Sequence, residues 1–412
     1  MNGEQMDIEY FFLMIGAVLL TGFLGRLFRQ RTQIPESLLL ISLGLVLGPL
    51  TGVVPGEALM EFVPVVSVAA MVTILVEAGI GFDVSALKSA LETAVAFTLM
   101  VAASTTILIS LLLVYVYGWP LLHAVLLGLI CSGTTTITTM ALLEGMKVGD
   151  KLRRLILLET IINDFTLILG TFIIVEFMKV SGFGMEAGLK TAFSELSVAI
   201  FLGLAFGFLW RRVLKDFNRE RALNYISTIG FCFVLYYIAA YLGGNSIIAI
   251  FTFSLFLGNY HKIYDLIKRP IKKEERKSFQ DVLDSIHSVE TDFTFFIASF
   301  FFVLLGLTLN PALLQTVSVF LIGGILALIL VSRLLSSQVL SWMDSYFSQY
   351  RGLITVMIPR GYVAAVLAFV PAQEGIEIPL LSDIIVVMVV VTTILAIIGS
   401  AFYARYYGRK KD

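Results

Sequence analysis

The sequence predicts an all-α membrane protein that crosses the bilayer about thirteen times. Of its 412 residues, 58% are hydrophobic and 14% are charged, and the mean hydropathy is +0.92. Soluble domains rarely reach this apolar content. The apolar residues form runs of about twenty, the length that an α-helix needs to cross the hydrocarbon core. The 29 basic and 30 acidic residues nearly cancel, so the charge balance gives no indication of a nucleic-acid partner.

Polar breaks between the apolar runs define the predicted spans. These spans lie near residues 10–28, 35–54, 60–82, 91–117, 120–143, 155–178, 189–213, 223–242, 245–261, 292–309, 313–335, 351–371 and 381–404. Twenty-five Lys and Arg residues fall on one side of this division, against only Lys179 and Lys190 on the other. Because cytoplasmic loops carry the excess of basic residues, we expect a multi-pass plasma-membrane protein with its N-terminus outside and its C-terminus in the cytoplasm.

The connector 262–291 is the one sizeable segment between spans. Apolar side chains recur along it at helical spacing and form a stripe of Phe279, Val282, Leu283, Ile286 and Val289. Such spacing is typical of an amphipathic helix. We expect this cytoplasmic helix to lie on the bilayer surface or to be a solvated linker; a regulatory or dimer-contact role is the alternative.

An internal repeat of opposite orientation is predicted by self-comparison. Residues 75–87 (LVEAGIGFDVSAL) resemble residues 302–314 (FVLLGLTLNPALL), and the alignment places Gly79 with Gly306 and Asp83 with Asn310. This alignment maps the third span onto the tenth. Because the tenth span comes an odd number of crossings after the third, the second copy has the opposite orientation in the membrane. Inverted repeats are a common plan of secondary transporters. We therefore expect a single transporter domain over 1–412, with repeats at about 10–178 and 223–404 and a linking span at 189–213.

The fifth and twelfth spans are interrupted at matching positions of the repeat. The run Ser132–Thr136 is rich in threonine and poor in helix formers, and the twelfth span contains Pro359, Arg360 and Gly361. Irregular backbone at membrane depth must be buried in protein or line a cavity. A pair of broken spans in corresponding positions indicates a transport site.

The sixth span carries the residues expected to bind an ion. Asp164 lies about 15 Å from the cytoplasmic end of this helix, and Thr160, four residues earlier, shares a face with it and with Asn163. The hydroxyls of Thr134 and Thr135 in the fifth span lie at a similar depth. Oxygen ligands of this kind suit a hard cation. We expect a monovalent cation bound by Asp164, Thr160 and Thr134, with a proton as competitor for the same carboxylate.

Other ionisable residues at membrane depth are also candidates for the site. Glu77 in the third span could contact the ion directly, through water or not at all. Glu159 and Arg333 lie at matched depths near the cytoplasmic side, which predicts an ion pair. Arg360 lies deeper and is an alternative partner of Glu159 or an anchor of the broken span. Spacing alone leaves the choice of arginine open.

The segment from Glu159 to Asp164 (ETIIND) resembles the E-S-x-x-N-D signature of the monovalent cation/proton antiporter 1 family, the sodium/proton exchangers of the archaeal NhaP and animal NHE type. The resemblance covers nearly the whole chain: LVEAGIGFD around Glu77 resembles the family's E-A-G-x-x-F-D run, Arg333 lies where the family has an arginine, and Pro359–Gly361 resembles its R-G motif. The family commonly reads T-D-P where this chain has Thr134–Thr136, so its usual aspartate is replaced by Thr135.

The resemblance implies an inverted-repeat antiporter fold of the NhaA-like type with two broken, crossing helices. It also implies a homodimer whose six-helix core moves against a dimerisation domain. It implies that an Asn-Asp pair accompanies electroneutral one-for-one exchange, that Asp164 binds ion and proton, and that Glu159 pairs with Arg333 rather than Arg360.

The sequence therefore predicts a secondary active Na⁺ or K⁺/H⁺ antiporter that uses alternating access. It contains no G-x-x-x-x-G-K-[ST] loop, and its three histidines lie apart from any nucleophile or metal constellation, so we expect neither an enzyme nor a bound nucleotide or other cofactor. The alternatives are a cation symporter or channel of the same fold and a non-transporting ion sensor. The direction of coupled proton movement distinguishes the symporter or channel, and ion binding without flux distinguishes the sensor.

Overall fold

The computed structural model describes residues 15–25, 27, 36–54, 63–81, 91–144, 146, 148–180, 185–216, 221–267, 273–308 and 319–408. Within these ranges the protein is helical and has no strand. In this described part of the chain, six helices are long and apolar enough to cross a membrane, and several further apolar helices are shorter. The all-helical membrane class is therefore confirmed, and the count of thirteen crossings stays a prediction.

The helices follow one another along the chain with short connections, and we number them in chain order. They are α1 (Ile15–Gly25), α2 (Glu36–Leu45), α3 (Val63–Gly81), α4 (Leu91–Tyr117), α5 (Leu121–Ile130), α6 (Thr136–Glu144), α7 (Asp150–Val180), α8 (Met185–Asp216), α9 (Arg221–Tyr241), α10 (Ser246–Ile267), α11 (Lys273–Thr308), α12 (Val319–Met343), α13 (Arg351–Val356), α14 (Tyr362–Leu367), α15 (Val370–Gln373) and α16 (Leu381–Gly408). A π-helical turn (Val46–Leu50) continues α2, and a 3₁₀-helix (Ser345–Tyr350) precedes α13.

The contacts divide the chain into two compact units. Unit 1 consists of residues 1–67, 90–175 and 298–412, and unit 2 consists of residues 68–89 and 176–297. Unit 1 contains both interrupted spans: α5 and α6 are separated by residues 131–135, and α13 and α14 by residues 357–361. The two interruptions that the sequence predicts are thus present at the expected positions.

Glycine allows a close helix crossing inside each unit. In unit 1, a Cβ atom at Gly306 of α11 would lie 2.2 Å from the carbonyl oxygen of Ile41 in α2. In unit 2, a Cβ atom at Gly79 of α3 would lie 2.4 Å from the Cβ of Ser254 in α10. Small residues let membrane helices approach this closely. The two glycines that align in the repeat therefore have the same packing role. Asp83 and Asn310 lie outside the described residues, and the inverted repeat stays a prediction.

The connector after α10 differs from the expected surface helix. Its described part is the beginning of α11, a continuous helix of 36 residues that runs on into the tenth span. Val282, Leu283 and Ile286 are at most 3% exposed, so this part of the apolar stripe is covered by protein rather than by the bilayer surface. The side chain of Phe279 lies outside the described residues. The periodicity identified an amphipathic helix but not the surface that covers it.

Candidate functional site

The two interruptions of unit 1 meet through their backbones. The N–H of Thr135 donates a hydrogen bond to the carbonyl oxygen of Pro359 at 3.0 Å. A Cβ atom at Gly361 would lie only 2.4 Å from the Cβ of Thr135, so no larger residue fits at position 361 without displacement. The contact satisfies polar backbone groups that would otherwise be exposed at membrane depth.

Helix α16 forms a hydrogen bond with the backbone of the second interruption. The backbone N–H of Arg360 donates to the hydroxyl of Thr392 at 3.1 Å, and Thr392 donates to the carbonyl oxygen of Met388 at 2.6 Å. Sequence reasoning did not identify Thr392. Its signal, a threonine in an otherwise apolar last span, is too common to single out.

The structure pairs Glu159 with Arg333. Nη1 of Arg333 lies 2.7 Å from Oε1 of Glu159 and Nη2 lies 3.0 Å from Oε2, a bidentate geometry that strengthens such pairs. Both side chains are buried, with exposures of 0% and 1%. Nε of Arg333 donates to the carbonyl oxygen of Ile354 at 3.0 Å. The charge of Glu159 is therefore neutralised within the protein.

Arg360 makes different contacts. It is 4% exposed, and its Nη1 donates to the carbonyl oxygen of Ile358 at 3.3 Å. Its Nε has no hydrogen-bond acceptor among the described residues. Of the two arginines that spacing left open, only Arg333 forms an ion pair with Glu159 in this part of the chain.

A directional chain of hydrogen bonds links Glu159 to Asn163. The hydroxyl of Thr134 donates to Oε1 of Glu159 at 3.0 Å and accepts from Nδ2 of Asn163 at 3.2 Å. Nδ2 also donates to the carbonyl oxygen of Ser132 at 3.1 Å. Because an ionised carboxylate only accepts hydrogen bonds, the direction of this chain orients the Asn163 amide.

The orientation leaves the amide oxygen of Asn163 without a partner. Asn163 is 1% exposed, and Oδ1 accepts no hydrogen bond from any described residue. A buried polar atom without a partner is costly and calls for an explanation. A cation or a water at this position would supply one.

Thr136, the first residue of α6, contacts α7. The hydroxyl of Thr136 donates to Oγ1 of Thr160 at 2.9 Å, and Thr160 donates to the carbonyl oxygen of Leu157, also at 2.9 Å. One lone pair of Thr160 remains for another ligand. Thr136 was not among the residues predicted for the site, although it completes the polar run Thr134–Thr136.

The two further acidic candidates lie in different units. Asp164 follows Asn163 in α7, belongs to unit 1 and is partly exposed. Glu77 lies in α3, belongs to unit 2 and is also partly exposed. The structure thus brings Thr134, Asn163, Glu159 and Arg333 together by hydrogen bonds, with Asp164 next in the helix.

Hydroxyl groups fix the helix that presents Arg333. Oγ of Ser332 lies 2.6 Å from Oγ of Ser104 and 2.7 Å from Oγ1 of Thr105, both in α4. Interhelical hydrogen bonds between hydroxyls stabilise helix packing in membranes. They fix the rotation of α12 one residue before Arg333, which directs the guanidinium towards α7. Sequence reasoning missed this cluster because its partners are 227 and 228 residues apart.

The beginning of α7 is attached to the segment between α12 and α13. Lys151 forms an ion pair with Asp344, and the hydrogen bond from Lys151 lowers the pKa of the Asp344 carboxyl. The N–H of Gly149 donates to the hydroxyl of Tyr350 at 3.4 Å. These contacts hold the first turn of the helix that carries Asn163 and Asp164.

Comparison with known proteins places this architecture in a family. A family model described as "Sodium/hydrogen exchanger, transmembrane" matches residues 15–404. The chain belongs to the sodium/hydrogen exchanger family. The resemblance found in the motifs is therefore confirmed over most of the chain.

Relatives of this exchanger family include antiporters for different cations. The chain is 26% identical over 380 residues to the K(+)/H(+) antiporter NhaP2 of Shewanella sp. (strain MR-4), covering 89% of this chain and 61% of that protein. It is 24% identical over 393 residues to the Na(+)/H(+) antiporter ApNhaP of Aphanothece halophytica, covering 88% of this chain and 67% of that protein. The chain thus spans about three fifths of the length of its NhaP2 relatives. These relatives are transporters rather than enzymes, as the sequence predicts.

A solved structure shows the same fold. The sodium proton antiporter MjNhaP1 from Methanocaldococcus jannaschii at pH 8 matches with a TM-score of 0.70 and 19% identity, over 97% of this chain and 98% of that chain. The exchanger fold is therefore shared along almost the full length of both proteins.

Proposed function

We propose that the protein is a secondary active antiporter that exchanges one monovalent cation, Na⁺ or K⁺, for one proton by alternating access. Membership of the sodium/hydrogen exchanger family supports the reaction class. The proposal includes a homodimer in the plasma membrane with the N-terminus outside and the C-terminus in the cytoplasm. Ion gradients drive the exchange, and no nucleotide or other cofactor takes part.

One observation carries this proposal: Asn163 is buried and anchored, its amide oxygen has no partner among the described residues, and the carboxyl group of Asp164 follows directly. The amide oxygen supplies a neutral ligand, and the carboxylate supplies the charge. Thr160 and the threonines of the interruption add further hydroxyl oxygens. Glu77, the other carboxylate that the sequence offers, lies in unit 2, and its contact with the ion, directly, through water or not at all, stays a prediction.

The charges of unit 1 support one-for-one exchange. The charge of Glu159 is neutralised by Arg333, so we assign the exchange to the carboxylate of Asp164. A proton and a monovalent cation each add one positive charge to it. The proton-bound site and the cation-bound site therefore carry the same net charge. Exchange of one ion for the other then moves no net charge across the membrane.

The test is exchange in proteoliposomes with the purified full chain. After a proton gradient is imposed, addition of external Na⁺ or K⁺ is expected to release protons in the direction opposite to cation uptake. Clamping the membrane potential with valinomycin in K⁺-containing buffers leaves the Na⁺-driven rate unchanged, because no net charge moves.

Other outcomes of this experiment identify the alternatives. Proton movement in the same direction as the cation indicates a symporter, and cation flux without proton movement indicates a channel. Cation binding without any flux indicates a sensor. A rate that depends on the membrane potential contradicts the one-for-one stoichiometry.

A further inference from the structure

We propose that Thr392 of α16 is a positioning residue for cation exchange: through the peptide group between Pro359 and Arg360, it fixes the position of the first interruption against α7. The inference rests on the proposed exchange function, which places the cation site on α7. It assigns a role in this exchange to a helix that carries none of the residues proposed to bind the ion.

A single peptide group joins the first interruption to α16. Its carbonyl oxygen, that of Pro359, accepts a hydrogen bond from the N–H of Thr135 at 3.0 Å. Its N–H, that of Arg360, donates to Oγ1 of Thr392 at 3.1 Å. Because a peptide group is planar and rigid, its carbonyl oxygen and its N–H turn together. The hydroxyl of Thr392 therefore sets the direction in which the carbonyl oxygen faces Thr135.

The hydroxyl of Thr392 has a defined direction. Thr392 is 0% exposed, so bulk solvent does not compete for its hydrogen bonds. Its hydrogen is donated to the carbonyl oxygen of Met388 at 2.6 Å, so its oxygen is left to accept from Arg360. Met388 and Thr392 belong to one continuous helix of 28 residues. The chain of hydrogen bonds thus begins on a long helix and ends at the first interruption.

The residues on either side of Thr135 contact α7. The hydroxyl of Thr134 donates to Oε1 of Glu159 at 3.0 Å. The hydroxyl of Thr136 donates to Oγ1 of Thr160 at 2.9 Å. Because the Cα atoms of consecutive residues are only about 3.8 Å apart, a displacement of Thr135 moves both hydroxyls relative to α7. Loss of the hydrogen bond at Thr392 is therefore expected to misplace oxygens beside the proposed cation site.

The predicted repeat makes α16 the counterpart of α7, since the sixth span corresponds to the thirteenth. Asn163 of α7 donates to the carbonyl oxygen of Ser132 in the first interruption at 3.1 Å. Thr392 of α16 accepts from the N–H of Arg360 in the second interruption. Each interruption is thus bound by a polar side chain of the span that follows it. This parallel supports a positioning role for Thr392.

Thr393 offers a matched control, because it is the next residue of α16 and has the same side chain. It is 1% exposed, and its hydroxyl forms no hydrogen bond within the described part of the chain. Thr392→Val and Thr393→Val each replace a buried threonine by a side chain of nearly the same shape. Only Thr392→Val removes the acceptor of the Arg360 N–H. Thr392→Ser keeps the hydroxyl.

The first experiment measures the apparent KM and the maximal rate of exchange in proteoliposomes, with NaCl and with KCl at one pH. For Thr392→Val we expect the apparent KM to rise about fivefold to tenfold, the size of effect that loss of one hydrogen bond produces. The maximal rate is expected to stay within about twofold of that of the unmodified chain, because the substitution displaces hydroxyl groups and removes no charge. Thr392→Ser and Thr393→Val are expected to keep the original apparent KM.

Hydrogen exchange gives a second readout that does not depend on transport. A hydrogen-bonded amide exchanges only when its bond opens locally. In purified protein in detergent, Thr392→Val is therefore expected to increase deuterium uptake in the segment 357–361. Thr393→Val is expected to leave the uptake of this segment unchanged. A purely global loss of stability would raise the uptake along the whole chain instead.

The outcomes separate this inference from the proposed function. An unchanged apparent KM in Thr392→Val, or an equal rise in Thr393→Val, overturns the role of Thr392 and leaves the antiporter intact. A Thr392→Ser variant that is as impaired as Thr392→Val overturns the role of the hydroxyl. Absence of exchange by the unmodified chain overturns the proposed function, and this inference with it.

A milder variant keeps the inference testable if Thr392→Val does not fold. In Thr392→Cys the hydroxyl is replaced by a thiol, whose sulfur is a weaker acceptor. We expect this variant to raise the apparent KM as well, by less than Thr392→Val. An apparent KM equal to that of the unmodified chain would then overturn the role of Thr392.

Discussion

Asp164→Asn is expected to abolish cation/proton exchange while leaving the fold intact. The substitution removes the carboxylate that accepts a proton or a cation and keeps the size and the hydrogen-bonding ability of the side chain. Glu159 cannot replace it, because both of its oxygens are bound by Arg333 at 2.7 and 3.0 Å. We expect the exchange rate in proteoliposomes to fall by about a hundredfold or more, to the level of protein-free liposomes.

The matched control is Asp344→Asn, the same substitution at a carboxylate outside the spans. Asp344 is partly exposed and pairs with the exposed Lys151, and an ion pair at the surface contributes about 0–1 kcal/mol to stability. Exchange is expected to continue in this variant. Proton-coupled exchange by Asp164→Asn at the rate of the unmodified chain would contradict the proposed role of Asp164.

Removal of either partner of the Glu159–Arg333 pair is expected to destabilise the protein strongly. Arg333→Met leaves an unpaired carboxylate at a side chain with 0% exposure, and Glu159→Gln leaves an unpaired guanidinium. Breaking a buried ion pair in this way costs about 3–5 kcal/mol. The free energy of unfolding in detergent, measured with a chemical denaturant, reports this loss.

The double variant Glu159→Leu with Arg333→Met distinguishes an unpaired charge from a packing defect. Replacing both ions by apolar groups removes the buried charge altogether, so we expect the double variant to be more stable than either single variant. Arg351→Gln is the control, since this arginine is exposed and its loss changes stability by no more than about 0.5 kcal/mol. Single variants as stable as the unmodified chain would contradict a structural role of the pair.

The all-helical membrane class and the two interruptions could be predicted because their signals are local. A run of apolar residues identifies a helix, and the consecutive polar residues Ser132–Thr136 identify the position where a helix stops. The packing role shared by Gly79 and Gly306 also agrees with a repeat that the sequence shows only weakly. Local patterns of this kind need no knowledge of which helices touch.

The partners of buried polar groups could not be predicted from spacing alone. Both Arg333 and Arg360 were possible partners of Glu159, and only the rotation of α12 selects Arg333. That rotation depends on hydroxyl contacts between Ser332 and α4, and nothing in either helix by itself indicates them. The burial of Val282, Leu283 and Ile286 by protein could not be predicted for the same reason, because periodicity shows an apolar face but not the element that packs against it.

The hydrogen-bond chain from Glu159 to Asn163 depends both on a local sequence motif and on a contact between distant segments. The motif around Asn163 and Asp164 predicted that α7 carries the ion site. The role of Thr134 as acceptor from the amide and donor to the carboxylate depends on the contact between α7 and the interruption. This contact makes Oδ1 of Asn163 the available end of the amide.

The most direct test of the central claim, that a proton and a cation compete for Asp164, is proton release on cation binding. Cation binding to a group that must be deprotonated releases protons. Purified protein in weakly buffered detergent solution is titrated with K⁺ or Na⁺, and the released protons are counted with a pH indicator. We expect about one proton for each bound cation, an apparent Kd that rises as the pH falls, and no release from Asp164→Asn. Cation binding that releases no proton and does not depend on pH would contradict the account.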